Sequence, residues 1–491
     1  MRERLKAELS EEVINYLLLP ALEAEQKRSF TNIMDINKGH LIMLISKGIV
    51  SQEDGQKITD ALESINKNGA ASLELDPKLE ELYFNIEAAL IKIVGVEVGG
   101  QLHTGRSRND LYATLARMNS RDSLLNICQQ VVSLREEIMK IANNSLHTVM
   151  SGYTHMQPAE PITLAHYLSA ILSALERDFQ RFIQSFNVIN ISPLGAGAMA
   201  STSFKIDRQE TSTLLGFEHA MENSIDAVAS RDYVLEALSA MNILMNNLSR
   251  FSQDLYIWST DEFGIVEVGD SVAACSSIMP QKKNPITLEH IKAKSGHVMS
   301  ALISATSCLK NTSYGHSRDL TESFKYFWDA FTDVDSSLHL MTATVKTLKF
   351  NEEKMLLRTM ENFSTVTELA NTIVREANIS FREAHQIVGH LVSEMIDKKI
   401  PVSNIDSEVI KDLSKLVIGK EILLSKEGIK QALDPIQNVE LKSTIGGPAS
   451  GEVKRQLIRL TEALEKDKKW LIKQQTLFHD KRSKLSNTQN V

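Results

Sequence analysis

The sequence predicts an all-α chain of three helical domains around a central bundle of five long helices. Ten prolines in 491 residues leave room for long uninterrupted helices, because an interior proline breaks one. Aromatic residues at 6% beside 17 methionines favour helix packing over sheet. Leu124, Ile127, Val131, Leu134, Ile138 and Ile141 recur at steps of three and four, the seam of a bundle helix. A chain of 491 residues exceeds one simple core, and domains are expected at residues 1–108, 109–360 and 361–491.

The first domain reads as short helices: VINYLLLPALEAE, then GHLIMLISKGIVSQEDGQKITDALESINK, then PKLEELYFNIEAALIKIVG. Within the second, Ser51 and Asp54 have the spacing of a capping box before Ile58, Leu62 and Ile65. Segments 163–188, 233–258, 286–309 and 329–348 share the length and periodicity of the helix through Leu124, which completes five bundle helices. Leu235, Leu238, Met241, Leu244, Met245 and Leu248 spread wider than one stripe, a second apolar face suited to burial against other subunits. TELANTIVREA, FREAHQIVGHLVSEMI and EVIKDLSKLV return to short helices. A Gly-Gly-Pro turn and a closing helix follow, with the last dozen residues expected to fray.

A net charge of −8 disfavours nucleic acid or an anionic membrane as partner. The three cysteines, Cys128, Cys275 and Cys308, lack metal-ligand spacing and are odd in number, which points to a reduced compartment. The charged start MRERLKAELSEEV has no apolar signal core. A cytoplasmic enzyme is the expectation.

Three segments are dense in polar groups. CSSIMPQKKNPITLE places Ser276, Ser277, Lys282, Lys283, Asn284 and Glu289 around a Met-Pro turn, before a helix opened by Pro285. HTGRSRND offers Arg106, Arg108 and Asn109 just ahead of a long helix, either as a dicarboxylate clamp or as an interdomain salt-bridge corner. GYTHMQP sets Thr154, His155 and Gln157 beside Pro158 at a helix entry. A fourth segment, Gly195 through Gly197 to Ala200, spells a dinucleotide fingerprint. The flanking helices leave no βαβ alternation and Pro193 sits in the would-be tight turn, so a nicotinamide-dependent oxidoreductase is disfavoured. That segment reads instead as a loop lining a site with backbone donors.

S-S-x-M-P-x-K-x-N followed by Glu289 resembles the signature loop of the fumarase/aspartase superfamily, and MPQKKNP resembles its argininosuccinate lyase branch. HTGRSRND, GYTHMQPAEP, SPLGAGAMA, Asp226 to Asp232, Phe381 to His385 and Gly446-Gly-Pro extend the likeness over roughly residues 30–460. The resemblance implies a homotetramer with a twenty-helix core and active sites shared between subunits. It also implies anti elimination of an N-substituted aspartate to fumarate and an amine, with neither metal nor organic cofactor. Ser276 would be the base, and His155, oriented by Glu289, the candidate acid. Lys282 and Asn284 would hold the carboxylate where charge develops. Arg108, Asn109, Thr154 and Gln157 would bind the succinyl part, with Arg231 as a further cation.

Departures from the family fall on the leaving-group side. Argininosuccinate lyases carry a tyrosine, a glutamine and a lysine where this chain has His316, Thr321 and Phe324. Asn37 or a neighbour in INKGH stands for a succinate-contacting serine, and Cys275 for the glycine before the serine pair. Argininosuccinate is therefore one reading of the substrate, and another N-substituted aspartate or an aminopolycarboxylate the alternative. A catalytically silent homotetramer is the remaining reading, opposed by the presence of Ser276, His155, Lys282, Asn284 and Glu289 together.

Overall fold

The computed structural model describes residue 4 and residues 6–486. The N-terminal layer is built from α1 (Leu19–Ser46), α2 (Gln52–Asn68) and α3 (Leu82–Val94). The second segment read from the sequence, Gly39 to Lys67, is divided between α1 and α2, and α2 starts after Ser51 as the capping-box spacing predicts. A turn at Lys47 and Gly48 separates them, with Gly48 at φ 66°. Ser51 caps α2 through the Asp54 amide at 3.1 Å.

All five expected long helices are present: α4 (Arg108–Asn144), α5 (Leu164–Ile189), α6 (Asp232–Trp258), α7 (Ile286–Leu309) and α9 (Phe327–Thr347), with a short α8 (Arg318–Glu322) before the last. α6 packs along α7, while α4 contacts both α5 and α9. Their facing residues, among them Leu134, Phe179, Leu244, Leu288 and Leu338, are fully buried in one continuous core.

After the bundle, α10 (Val366–Ala377), α11 (Phe381–Asp397), α12 (Ser407–Ile418) and α13 (Lys426–Leu433) surround a separate small core, and α14 (Pro435–Leu441) follows and packs on α13. The closing helix α15 (Ser450–Ser486) leaves that group and packs on α4 and α5. It places Leu457, Leu464, Leu471 and Phe478 in the bundle core and Leu485 in the N-terminal one. Of the last dozen residues expected to fray, those up to Ser486 are helical and the rest lie outside the described residues.

The chain is almost entirely α-helical, with three two-stranded antiparallel pairs among the described residues. Two of these pairs carry expected site residues: β1 (Val149–Thr154) with β2 (Gln157–Thr163), and β3 (Ala274–Cys275) with β4 (Lys283–Asn284). No described helix is long and apolar enough to cross a membrane.

Candidate active site

Pairing of β3 with β4 makes residues 276–282 the loop of a hairpin. The Ser276 hydroxyl oxygen accepts the Met279 amide at 3.1 Å and the Ile278 amide at 3.4 Å. Lys282 N–H then closes a second turn on the Met279 carbonyl at 3.1 Å. The two adjacent lysines have different surroundings. Lys283 bridges Asp270 at 2.6 Å and Glu267 at 2.9 Å, and these bonds raise its pKa. Lys282 is exposed and makes neither ion pair nor side-chain hydrogen bond among the described residues. Pro285 is the residue before α7, one position earlier than expected, and Glu289 is exposed in the first turn of that helix.

HTGRSRND forms the entry to α4. Ser107 and Asp110 make a capping box, which satisfies the first free amides of the helix. The second oxygen of Asp110 reaches across to the loop after α5 and accepts the amides of Gly195 at 2.8 Å and Gly197 at 2.9 Å. Both glycines have positive φ, and a Cβ on Gly197 would lie 2.6 Å from the Ser201 carbonyl oxygen. The loop expected to line a site with backbone donors thus spends two of them on Asp110. They are not free for a dinucleotide phosphate either. Asn109 donates to the Ala198 carbonyl at 3.4 Å, which seats the motif against the same loop.

The arginines of the motif divide in the same way as the lysines. Arg106 is buried, donates to the Tyr83 hydroxyl at 3.1 Å and lies 5.0 Å from that ring's centroid. Arg108 is outside, held by Glu80 at 2.9 Å with Glu81 at 4.0 Å. The salt-bridge corner and an accessible guanidinium therefore coexist at Arg108.

Thr154 and Gln157 pair at the end of the β1–β2 hairpin. His155 and Met156 make its two-residue tip at φ 53° and 60°, left-handed values that side chains adopt with strain. All four residues are exposed. The motif therefore stands at a hairpin tip rather than at a helix entry, since β2 intervenes before Thr163 caps α5.

On the leaving-group side, His316 precedes α8 and Thr321 is exposed on it. Burial lowers the pKa of His316, and Arg231, Arg318 and Arg108 lower it further. The Arg231 guanidinium also lies 5.6 Å from the Phe324 ring centroid, which places the end of the loop before α6 against the segment 316–324. Asn37 is buried on α1 with both side-chain amide atoms unpartnered. Among the described residues, no hydrogen bond or ion pair joins Ser276, His155, Lys282 and Glu289 to one another.

The sequence reading missed the acidic side of this region. Glu25 accepts the Tyr112 hydroxyl at 3.0 Å and the Leu82 amide at 3.3 Å. Burial, then the Glu81 carboxylate, raises its pKa to about 7. Glu80 and Glu81 were visible only as charges ahead of a helix, and nothing in their spacing set them apart.

The chain matches a family model described as Lyase over residues 22–300 and one described as Argininosuccinate lyase C-terminal over residues 363–440. It is 49% identical over 465 residues to Argininosuccinate lyase 1 of Shouchella clausii, covering 94% of this chain and 93% of that one. Argininosuccinate lyase of Methanocaldococcus jannaschii is 39% identical over 468 residues, 95% of each chain. Among solved structures, EDDS lyase in complex with formate superposes with a TM-score of 0.88 at 34% identity, over 98% of this chain and 95% of that one. A fumarate lyase from Mesorhizobium sp. BNC1, at 18% identity and TM-score 0.72 over 89% of this chain and 98% of that one, shares the fold.

Proposed function

Since the chain belongs to the fumarase/aspartase superfamily of lyases, in its argininosuccinate lyase branch, we propose that Ser276 is the base of its carbon–nitrogen elimination. The reaction releases fumarate from an N-substituted aspartate. The observation that carries the assignment is the pair of loop amides already directed at the Ser276 oxygen. Removing a proton from the carbon beside a carboxylate asks a hydroxyl to act as alkoxide, and N–H donors aimed at that oxygen stabilise the charge. Lys282, unpaired beside them, supplies a mobile cation, and Asn284 at the hairpin base supplies an amide for the developing aci-carboxylate. Lys283 holds the hairpin through Glu267 and Asp270.

Arg108, Asn109, Thr154 and Gln157 bind the succinyl carboxylates in this reading, with Asn37 completing the polar wall and Arg231 as a further cation toward the leaving group. His155 protonates the departing nitrogen once Glu289 orients it. Among the described residues no hydrogen bond or ion pair joins the two within one chain, so we assign the pairing to different subunits of a homotetramer. Support for that assembly comes from Met299 and Ile303, one turn apart on α7 and 49% and 58% exposed.

For the leaving group, the first reading is an amine other than arginine, because His316, Thr321 and Phe324 replace the groups that would hold arginine. The 34% identical, closely superposing EDDS lyase supports it. Argininosuccinate is the second reading, favoured by the names of the curated relatives. The test is ultraviolet absorbance of fumarate on mixing the protein with argininosuccinate and with a panel of N-substituted aspartates, with Ser276→Ala as control. Serine-dependent release supports the assignment, and the best substrate names the amine. Release that survives Ser276→Ala, or none from any substrate, overturns it.

A further inference from the structure

Positive charge on the leaving-group side is incompletely offset. Arg231 is 7% exposed, and one of its terminal nitrogens donates to the carbonyls of Ser230 at 2.6 Å and Val228 at 3.3 Å. Its Nε is buried without a partner, and Arg231 forms no ion pair among the described residues. Glu80 and Glu81 offset Arg108, and Glu81 also faces Arg318.

Besides those two carbonyls, an aromatic ring faces Arg231. Its guanidinium carbon lies 5.6 Å from the centroid of Phe324. Phe324 stacks on Trp328 at 5.6 Å with 10° between the rings, and Arg28 covers Trp328 at 4.7 Å. The contacts run Arg28, Trp328, Phe324, Arg231, with a guanidinium at either end. A lysine in place of Phe324 would repel Arg231, whereas the ring face attracts it. His316 sits in the same field, and a neutral imidazole there can still donate one hydrogen bond.

We propose that Arg231, seated on the Phe324 face, and His316 form an anion subsite for a carboxylate of the departing amine. The chain thereby favours amines that bring a carboxylate and no second cationic group, amino acids with neutral or acidic side chains or aminopolycarboxylates, over arginine, whose guanidinium would enter beside Arg231. The inference rests on the fumarate-forming reading above and specifies its leaving group. Phe324 is a positioning residue in it: it acts through Arg231.

The experiment runs the reaction in reverse, with fumarate and either glycine or glycinamide, compared at equal concentrations of free amine. Product is followed by proton NMR. Glycine is expected to add with kcat/KM at least about tenfold above glycinamide, the loss of one charged hydrogen-bonded contact. Phe324→Leu is expected to raise KM for glycine by about fivefold, within the range of a cation–π contact, while KM for fumarate moves little. Phe324→Trp keeps a ring face and restores the glycine KM. Equal use of the two amines overturns the inference, as does a Phe324→Leu effect shared equally between them. In either case the elimination itself still stands. Absence of any fumarate chemistry, forward or reverse, overturns the reaction class and the inference together.

Discussion

One carboxylate oxygen of Asp110 accepts the Gly195 amide at 2.8 Å across 85 residues of sequence, and the Gly197 amide at 2.9 Å. The other oxygen accepts the Ser107 amide at 2.9 Å. A single buried side chain thus ties the entry of α4, where Arg108 and Asn109 sit, to the loop that Asn109 touches.

Asp110→Ala leaves three amides without their charged acceptor. A buried donor left unpaired costs about 1–3 kcal/mol, so a loss of roughly 3 kcal/mol or more is expected in the urea midpoint. Asp110→Asn, which keeps one acceptor oxygen, is expected to fall between. Because Asn109 is seated by the same loop, kcat/KM should drop in both variants. Unchanged kcat/KM in the folded Asn variant would confine Asp110 to the fold.

Glu25 links stability to pH in an unusual direction. Its pKa is about 7 in the folded chain, raised by burial and then by Glu81, against the usual 4.5. Between those values the folded state keeps a proton that the unfolded state has lost, so its contribution to stability falls as pH rises from 4.5 to 7. The full span corresponds to about 3 kcal/mol. Glu25→Gln keeps the acceptor for Tyr112 and Leu82 and cannot ionise. It should match the parent near pH 4.5 and exceed it in urea midpoint at pH 8. A parent as stable as the variant at pH 8 would show that Glu25 ionises at little cost in the fold.

The bundle was legible in the sequence because its signal is local. Apolar steps of three and four from Leu124 to Ile141 define a face whatever packs on it. The boundaries of α5, α6, α7 and α9 follow within about two residues. The short hairpins were not legible. Pro158 and Pro161 in β2 remove strand donors and read as turn punctuation, and β3 and β4 are two residues each. The motifs marked out these polar groups as a set, but not their division into free and engaged members. Lys282 and Lys283 are indistinguishable until Glu267 and Asp270 are placed in space.

Strain at the β1–β2 tip yields a third prediction. A two-residue hairpin turn with both residues at positive φ prefers Asn-Gly, yet His155 and Met156 occupy it. Met156→Gly relieves one left-handed residue and should raise stability by about 0.5–1 kcal/mol, read as a higher thermal midpoint. Stored strain at a functional group usually orients it, so kcat/KM is expected to fall several-fold as His155 gains freedom. If the midpoint rises while kcat/KM holds, the tip geometry is incidental to catalysis.

The last prediction concerns the docking of α15. Asp467 meets Arg135 of α4 at 2.6 Å across 332 residues, with both side chains almost fully buried, and Gln180 of α5 donates to its other oxygen at 2.8 Å. Burying two charges costs more than a surface pair returns, so the pair adds little over a hydrophobic contact of the same shape, but either charge left alone is expensive. Asp467→Ala is therefore expected to destabilise by about 3–5 kcal/mol in urea. The double variant Arg135→Met with Asp467→Leu, which fills the space without charge, should recover most of that loss. Non-additivity of this size in a double-mutant cycle would show that the cost of Asp467→Ala lies in the stranded guanidinium. Additive losses would instead assign it to packing around Phe179 and Leu464, and the pair would then have no role in fixing where the helix docks.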